Sequence, residues 1–288
     1  MKKTLITGVA TALVTPFFND KINFPMLKIL IQRQIDAGIS HIVLAGTTGE
    51  APTLTDEEKI ELFRKGKEFA GDQCNIIAGT GSNSTQHAIE LSIAAEKVGA
   101  DSLLIVSPYY NKTTPEGLYA HYASIAQNVN IPIIIYNVPS RTGLDIPISV
   151  YQRLAELPNI IGVKEASNDI TKITKIRSVC PNLTIYSGND EMIVPVISLG
   201  GKGVISVLSN VYPELTAAMT DAALAGDFDT AAALQCSLQP VIESLFCEVN
   251  PIPVKEAMSL IGYDCGSCRP PLTSINEQHK GQLKNSLL

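Results

Sequence analysis

Eight short runs rich in Val, Ile and Leu recur along the chain, and each is followed by a longer stretch with helical spacing. They read TGVATALVTPF, HIVLAG, NIIAGTG, SLLIVSP, IPIIIYNVP, IIGVKEAS, LTIYSGND and GVISVL. Alternation of strand and helix calls for parallel strands joined by crossover helices. Eight such units predict an α/β fold, a closed (β/α)8 TIM barrel, with an open doubly wound sheet as the structural rival. The chain's 288 residues are an ordinary length for a barrel of this kind.

The helical stretches carry their own punctuation. In DEEKIELFRKGKEFAG, Ile60, Leu62, Phe63 and Phe69 recur near helical spacing while charges fill the other side. Asp56 is the expected N-cap there and Gly71 the expected stop. STQHAIELSIAAEKVGA and TPEGLYAHYASIAQNV have the same character. From about Asp227 the pattern is helical with no further strand run, which predicts a catalytic barrel over 1–226 and a small C-terminal helical domain over 227–288. Its apolar positions Leu234, Leu238, Val241, Ile242 and Leu245 are expected to pack on the barrel or on a neighbouring subunit.

Composition narrows the function classes. With 45% hydrophobic and 17% charged residues the chain has ample material for a large core. A net charge of −6 without any basic block excludes the electrostatic footprint of a nucleic-acid or anionic-membrane binder and leaves small-molecule work as the default. The opening MKKTLITGVATALVTPFF contains Gly8, Thr11, Thr15 and Pro16 and reads as a first core strand, not as a signal peptide. No segment has the length of uninterrupted apolar sequence that a transmembrane helix needs. Six scattered cysteines fit a reducing cytoplasm better than a disulfide framework. Cys265 and Cys268 form a lone C-x-x-C without the further ligands zinc requires, so an ordinary loop is expected. His41, His87, His121 and His279 form no metal or triad pattern and read as structural or exposed; no metal is expected.

Reactive residues gather at the C-terminal ends of the strands. The second run leads into Gly46-Thr47-Thr48-Gly49-Glu50, the fourth into Pro108-Tyr109-Tyr110-Asn111, the fifth into Tyr136 through Gly143, and the sixth carries Lys164. In an α/β barrel those ends meet on the face where active sites sit. A lysine leaving a buried strand is partly shielded from water, and a free amine there attacks carbonyls to form a Schiff base. The plain alternative is a strand that ends at Lys164 and lets it reach solvent. Glu165 falls on the opposite side of the strand and reads as structural or as an ion-pair partner. Tyr136, Tyr110 and Thr48 offer hydroxyls for proton transfer, although buried tyrosines also serve merely to fill space. Arg141, between Pro139 and Gly143, suits a carboxylate, with an ordinary surface arginine as the alternative. Gly200-Gly201-Lys202-Gly203 and GTGSNS (79–84) lack the spacing of phosphate or dinucleotide loops.

Taken together, GTTGE (46–50), SPYYNKTTPEGLYAHY (107–122), YNVPSRTG (136–143), GVKEAS (162–167) and GVISV (203–207) resemble the dihydrodipicolinate synthase family of pyruvate-dependent class I aldolases over the whole chain. The resemblance implies a Schiff base between Lys164 and pyruvate, with Tyr136 as general acid/base and Thr48 and Tyr110 completing a proton relay. It further implies that Tyr110 reaches across from a partner subunit, and that the assembly is a homotetramer, a dimer of dimers. Thr47 would hold the pyruvate carboxylate, Arg141 that of L-aspartate 4-semialdehyde, and the backbone oxygens of Gly188 and Ile205 would line the site. The implied reaction is an early step of the diaminopimelate route to L-lysine and needs no cofactor. Two alternatives stand beside it: N-acetylneuraminate lyase or another aldolase of this group, against which Arg141 argues, and a ligand-binding barrel without turnover. Lysine-inhibited members place histidines and a glutamate where this chain has Asp56, Lys59 and His87, in a region that also holds Ala51, Asn83 and Tyr109. A lysine side chain there repels a cationic effector, so weak or absent lysine inhibition is expected.

Overall fold

The strands in chain order are β1 (Gly8–Ala12), β2 (Phe17–Phe18), β3 (Lys21–Ile22), β4 (His41–Leu44), β5 (Asn75–Gly79), β6 (Ser102–Val106), β7 (Ile133–Asn137), β8 (Ile160–Glu165), β9 (Thr184–Ser187) and β10 (Gly203–Ser206). In the computed structural model, which describes residues 6–287, all but β2 and β3 form one closed parallel barrel in the order β1-β10-β9-β8-β7-β6-β5-β4. The closed ladder rules out the open-sheet rival. Closure sets Gly8 opposite Gly203 and Ala10 opposite His41. Gly203 is obligatory at that seam, because a Cβ there would stand 1.8 Å from the Gly8 carbonyl oxygen at a φ of +148°. This accounts for the glycines before β10 without any phosphate. The first five residues of the opening stretch lie outside the described residues.

The helices are α1 (Phe24–Asp36), α2 (Asp56–Ala70), α3 (Thr85–Lys97), α4 (Pro115–Asn128), α5 (Pro139–Thr142), α6 (Ile148–Leu154), α7 (Ile170–Val179), α8 (Ile193–Ser198), α9 (Pro213–Ala225), α10 (Phe228–Leu245), α11 (Ile252–Leu260) and α12 (Glu277–Ser286). The N-cap of α2 corrects an expectation. Thr55, not Asp56, takes that position: its hydroxyl accepts from the Glu58 amide while Glu58 reaches back to the Thr55 amide, a full capping box. Asp56 is thereby freed for contacts outside the helix. Gly71 does end α2, at a φ of +54°.

Two apolar zones follow from strands buried on both faces. One lies between strands and helices and includes Ile133, Ile135 and Val163. The other fills the barrel interior with Ala10, Val43, Ile77, Leu104, Ile134, Tyr136, Tyr186 and Ile205. Leu238, Val241, Ile242 and Leu245 of α10 belong to the outer zone, with Leu234 packed against it, so this helix packs on its own barrel. Among the described residues no helix is long and apolar enough to cross a membrane.

Candidate active site

The strand pair β7–β8 positions the central residues. Ile133 faces Ile160 but Ile134 faces Gly162, so β8 carries one extra residue there. Bulges of this kind re-aim the side chains that follow. Beyond it Tyr136 stands opposite Lys164, and Asn137 opposite Glu165. Because side chains alternate, the first pair faces the barrel interior and the second faces the helices. Lys164 is 5% exposed and its Nζ lies 4.4 Å from the centre of the Tyr136 ring. Among the described residues it forms no ion pair.

Behind the strands the chain builds a closed polar network. The Asn137 amide donates to Glu165 Oε1 and to Asp145 Oδ1, each at 2.8 Å. Tyr151 donates its hydroxyl to Glu165 Oε2 at 3.1 Å, and the Ser167 amide donates to Glu165 Oε1 at 3.0 Å. Lys172 ion-pairs with Asp145 and lies 3.9 Å from Glu165. Burial raises the Glu165 carboxyl above its ordinary range, and the Lys172 charge with the three donated hydrogen bonds works against that rise. Glu165 is structural, as its place on the strand predicts.

The loop after β4 brings in Thr47 and Thr48. Its last residue, Glu50, adopts a left-handed backbone at φ +56° and buries its carboxylate against Lys255 Nζ at 2.7 Å, with neither side chain more than 3% exposed. The Arg269 amide donates to the other Glu50 oxygen at 2.8 Å. Removing one partner of a pair so buried strands the other charge, at about 3–5 kcal/mol. Lys255 thus ties the threonine loop to α11 through an interaction the sequence reading did not find. Arg141 sits on the single turn α5, ended by Gly143 at φ +65°, and donates Nη2 to the Asn250 carbonyl at 3.2 Å.

These segments enclose a cleft of about 400 Å³ at the C-terminal end of the barrel. Thr47, Thr48, Tyr136, Arg141, Lys164 and Gly188 all line it. Ile205 does not. It is fully buried in the barrel interior, opposite Ala10, and Val207 forms the cleft wall on that side. Tyr110 is also elsewhere: at φ +68° its side chain is 92% exposed and turned away from its own chain's cleft. Asn250, Asn189, Glu191, Gln239 and Phe246 also line it and were not singled out in the sequence. Left-handed backbone at Ala45, Glu50, Tyr110, Lys112 and Asn168 is concentrated in the loops of this face, where strain commonly marks functional sites.

The family model for the dihydrodipicolinate synthetase family matches residues 5–288. The chain belongs to this family. It is 47% identical to the 4-hydroxy-tetrahydrodipicolinate synthase of Acetivibrio thermocellus over 288 residues, all of this chain and 98% of that one. The solved synthase of Methylacidiphilum fumariolicum SolV superposes with a TM-score of 0.97 at 41% identity, covering 98% of this chain and 95% of the other. A dihydrodipicolinate synthase from Cyanidioschyzon merolae, solved with lysine bound, gives 0.94 at 39% identity, covering 97% and 96%.

Beside the main cleft this synthase-family chain has a second cavity of about 500 Å³, lined by Ala51, Asp56, Lys59, His87 and Tyr109 and sharing Thr47, Tyr136 and Arg141 with the first. Asp56 accepts from His87 Nε2 at 2.8 Å and pairs with Lys59 at 3.4 Å. Asn83 stands apart from that lining, its carbonyl accepting from the Asn111 amide at 2.9 Å. Among the described residues no group of three or more His, Cys, Asp or Glu could hold a metal ion. Burial pushes the Cys265 thiol up to about 12 and Cys268 to about 11, which keeps both as thiols and argues against redox or metal work there. The histidines serve structure: His121 bonds Thr85, His41 bonds Asn75, and His279 bonds Glu248.

Proposed function

We propose that Lys164 is the Schiff-base lysine of a 4-hydroxy-tetrahydrodipicolinate synthase, condensing pyruvate with L-aspartate 4-semialdehyde. The observation that carries this reading is a shielded amine held against Tyr136, in a cleft that Thr47, Thr48 and Arg141 also line. The free amine adds to the ketone carbon of pyruvate. Tyr136 passes a proton from nitrogen to oxygen, and the resulting hydroxyl leaves as water. Loss of a methyl proton from the iminium gives an enamine, whose carbon attacks the aldehyde. The amine of the second substrate then closes onto the iminium carbon and frees Lys164. The lysine is itself the electron sink, so the chemistry needs neither metal nor organic cofactor. Thr47 holds the pyruvate carboxylate and Arg141 that of the aldehyde, with the Gly188 backbone oxygen beside them. Borohydride trapping with pyruvate tests this reading: a reduced adduct on Lys164 is expected, and its absence overturns it.

Tyr110, exposed on its own chain, supports a relay completed across a subunit interface in a homotetramer built as a dimer of dimers; sedimentation of the purified protein checks the assembly. Six free cysteines support a reducing cytoplasm. Gly226, a left-handed helix stop, and Asp227, the N-cap of α10, support a boundary between residues 226 and 227. In the second cavity Lys59 places a cation where a lysine effector would bring its own charge. Millimolar L-lysine is therefore expected to leave the rate unchanged, and a halved rate would contradict this.

A further inference from the structure

We propose that Asn250, in the loop between α10 and α11, is a positioning residue that fixes the direction of the Thr48 hydroxyl in the proton relay. This rests on the Schiff-base reading of Lys164 given above. The Asn250 amide Nδ2 donates to Thr48 Oγ1 at 3.0 Å across 202 residues of sequence, and Asn250 is 6% exposed. An amide NH2 only donates. It therefore occupies a lone pair of the Thr48 oxygen and leaves the Thr48 proton to be donated into the cleft. The stiff χ1 of a branched side chain fixes where Oγ1 lies, and the bond from Asn250 sets which way its hydrogen points.

Two further observations separate this from packing. Asn250 Oδ1 is buried without a partner among the described residues. The bond to Thr48 is therefore the one that its side chain makes among the described residues, and it alone sets the amide's orientation. The backbone of the same residue accepts from Arg141 Nη2 at 3.2 Å, so one residue braces the proton relay and the anion clamp together. Five residues on, Lys255 anchors the loop through Glu50.

The direction matters for the proton balance. As the carbinolamine hydroxyl leaves as water it takes the Tyr136 proton. Thr48, held as a donor, hydrogen-bonds to that phenolate and supports its charge until the methyl proton released on enamine formation returns to the Tyr136 oxygen. A freely turning Thr48 hydroxyl would spend part of its time pointing away from Tyr136 and would leave the phenolate charge unsupported.

The test is exchange of pyruvate methyl protons with D2O, followed by NMR, in the full-length enzyme and in Asn250→Ala, Asn250→Asp, Thr48→Val and the doubly substituted chains. Asn250→Ala is expected to slow exchange roughly 10- to 100-fold, part of what a positioned acid–base group contributes, with the pyruvate KM nearly unchanged. Asn250→Asp is expected to be slower still, because an ionised carboxylate only accepts and turns the Thr48 proton away from the cleft. A purely structural role predicts the reverse order, since Asp is the closer fit. Adding Asn250→Ala to Thr48→Val is expected to cost nothing further. Multiplying losses, or an Asp variant faster than the Ala variant, would overturn the proposal. Should Asn250→Ala fail to fold, the near-isosteric Asn250→Asp cycle with Thr48→Val carries the same test. Wild-type protein that neither exchanges protons nor yields an adduct on Lys164 would sink the Schiff-base reading instead.

Discussion

The two faces of β7–β8 hold neighbouring residue pairs built to opposite specifications. Tyr136 and Lys164 face inward, the lysine Nζ 4.4 Å from the ring centre, with no ion pair among the described residues to fix the lysine. Asn137 and Glu165, one residue further on, face outward into a network in which Glu165 accepts three hydrogen bonds. The difference teaches how a strand pair keeps a buried lysine free of an ion pair. The outer pair absorbs the positional constraint, so the inner pair is left uncommitted and yet held in register.

That contrast can be broken from either side. Lys164→Ala is expected to lower kcat at least roughly 10³-fold while leaving the denaturation midpoint nearly unchanged, because the inner amine stabilises little; steady-state kinetics beside a urea titration checks both. Glu165→Ala is expected to do the opposite in kind. It leaves the Tyr151 hydroxyl and the Ser167 amide without their acceptor, while Lys172 keeps Asp145, and costs about 1–3 kcal/mol in chemical denaturation. A Glu165→Ala protein of wild-type stability would show that the outer network is ornamental. Tyr136→Phe is expected to lose roughly 10²-fold in kcat with less than about 1 kcal/mol of stability, since the ring and its packing remain.

A smaller effect sharpens the contrast by pH. Burial depresses the His121 imidazole from 6.5 to about 4. The unfolded chain therefore binds a proton over that range that the folded chain refuses. The stability contributed is full above about pH 6.5 and falls, by about 3 kcal/mol at most, as the pH drops towards 4. Denaturation curves collected across this range are expected to show the slope, and His121→Gln to flatten it. Since His121 is on α4, this acid loss belongs to the outer shell and leaves the order of the inner-face variants unchanged.

What the sequence made legible follows from what is local. All eight barrel strands were visible because each is a short apolar run bounded by a turn, and the position of Lys164 in its run was enough to place it at the catalytic face. Lys164, Tyr136, Thr47, Thr48, Arg141 and Gly188 meet as expected. Misreadings occurred where two local signals compete. Asp56 and Thr55 are both good caps, and only the reciprocal bond with Glu58 decides between them. The hairpin β2–β3 was invisible because each strand has two residues, although Asn19 and Asp20 at φ of +50° and +60° form the turn that twisted hairpins favour. Asn250 and Lys255 escaped notice because their partners, Thr48 and Glu50, lie more than two hundred residues away. No periodicity reports such a contact.

The seam between β1 and β10 has a consequence for how the protein is made. Its first strand leaves the ribosome early, yet its partner Gly203 arrives only after two thirds of the chain, and Asn250 and Lys255 later still. Through most of synthesis the emerging sheet has two open edges, which are templates for pairing with other chains. A product cut short before residue 203 has the lysine but no barrel. One cut between 206 and 250 can close the ladder but has no brace behind Thr48 and Arg141. The cleft is thus braced only once the loop between α10 and α11 has been made.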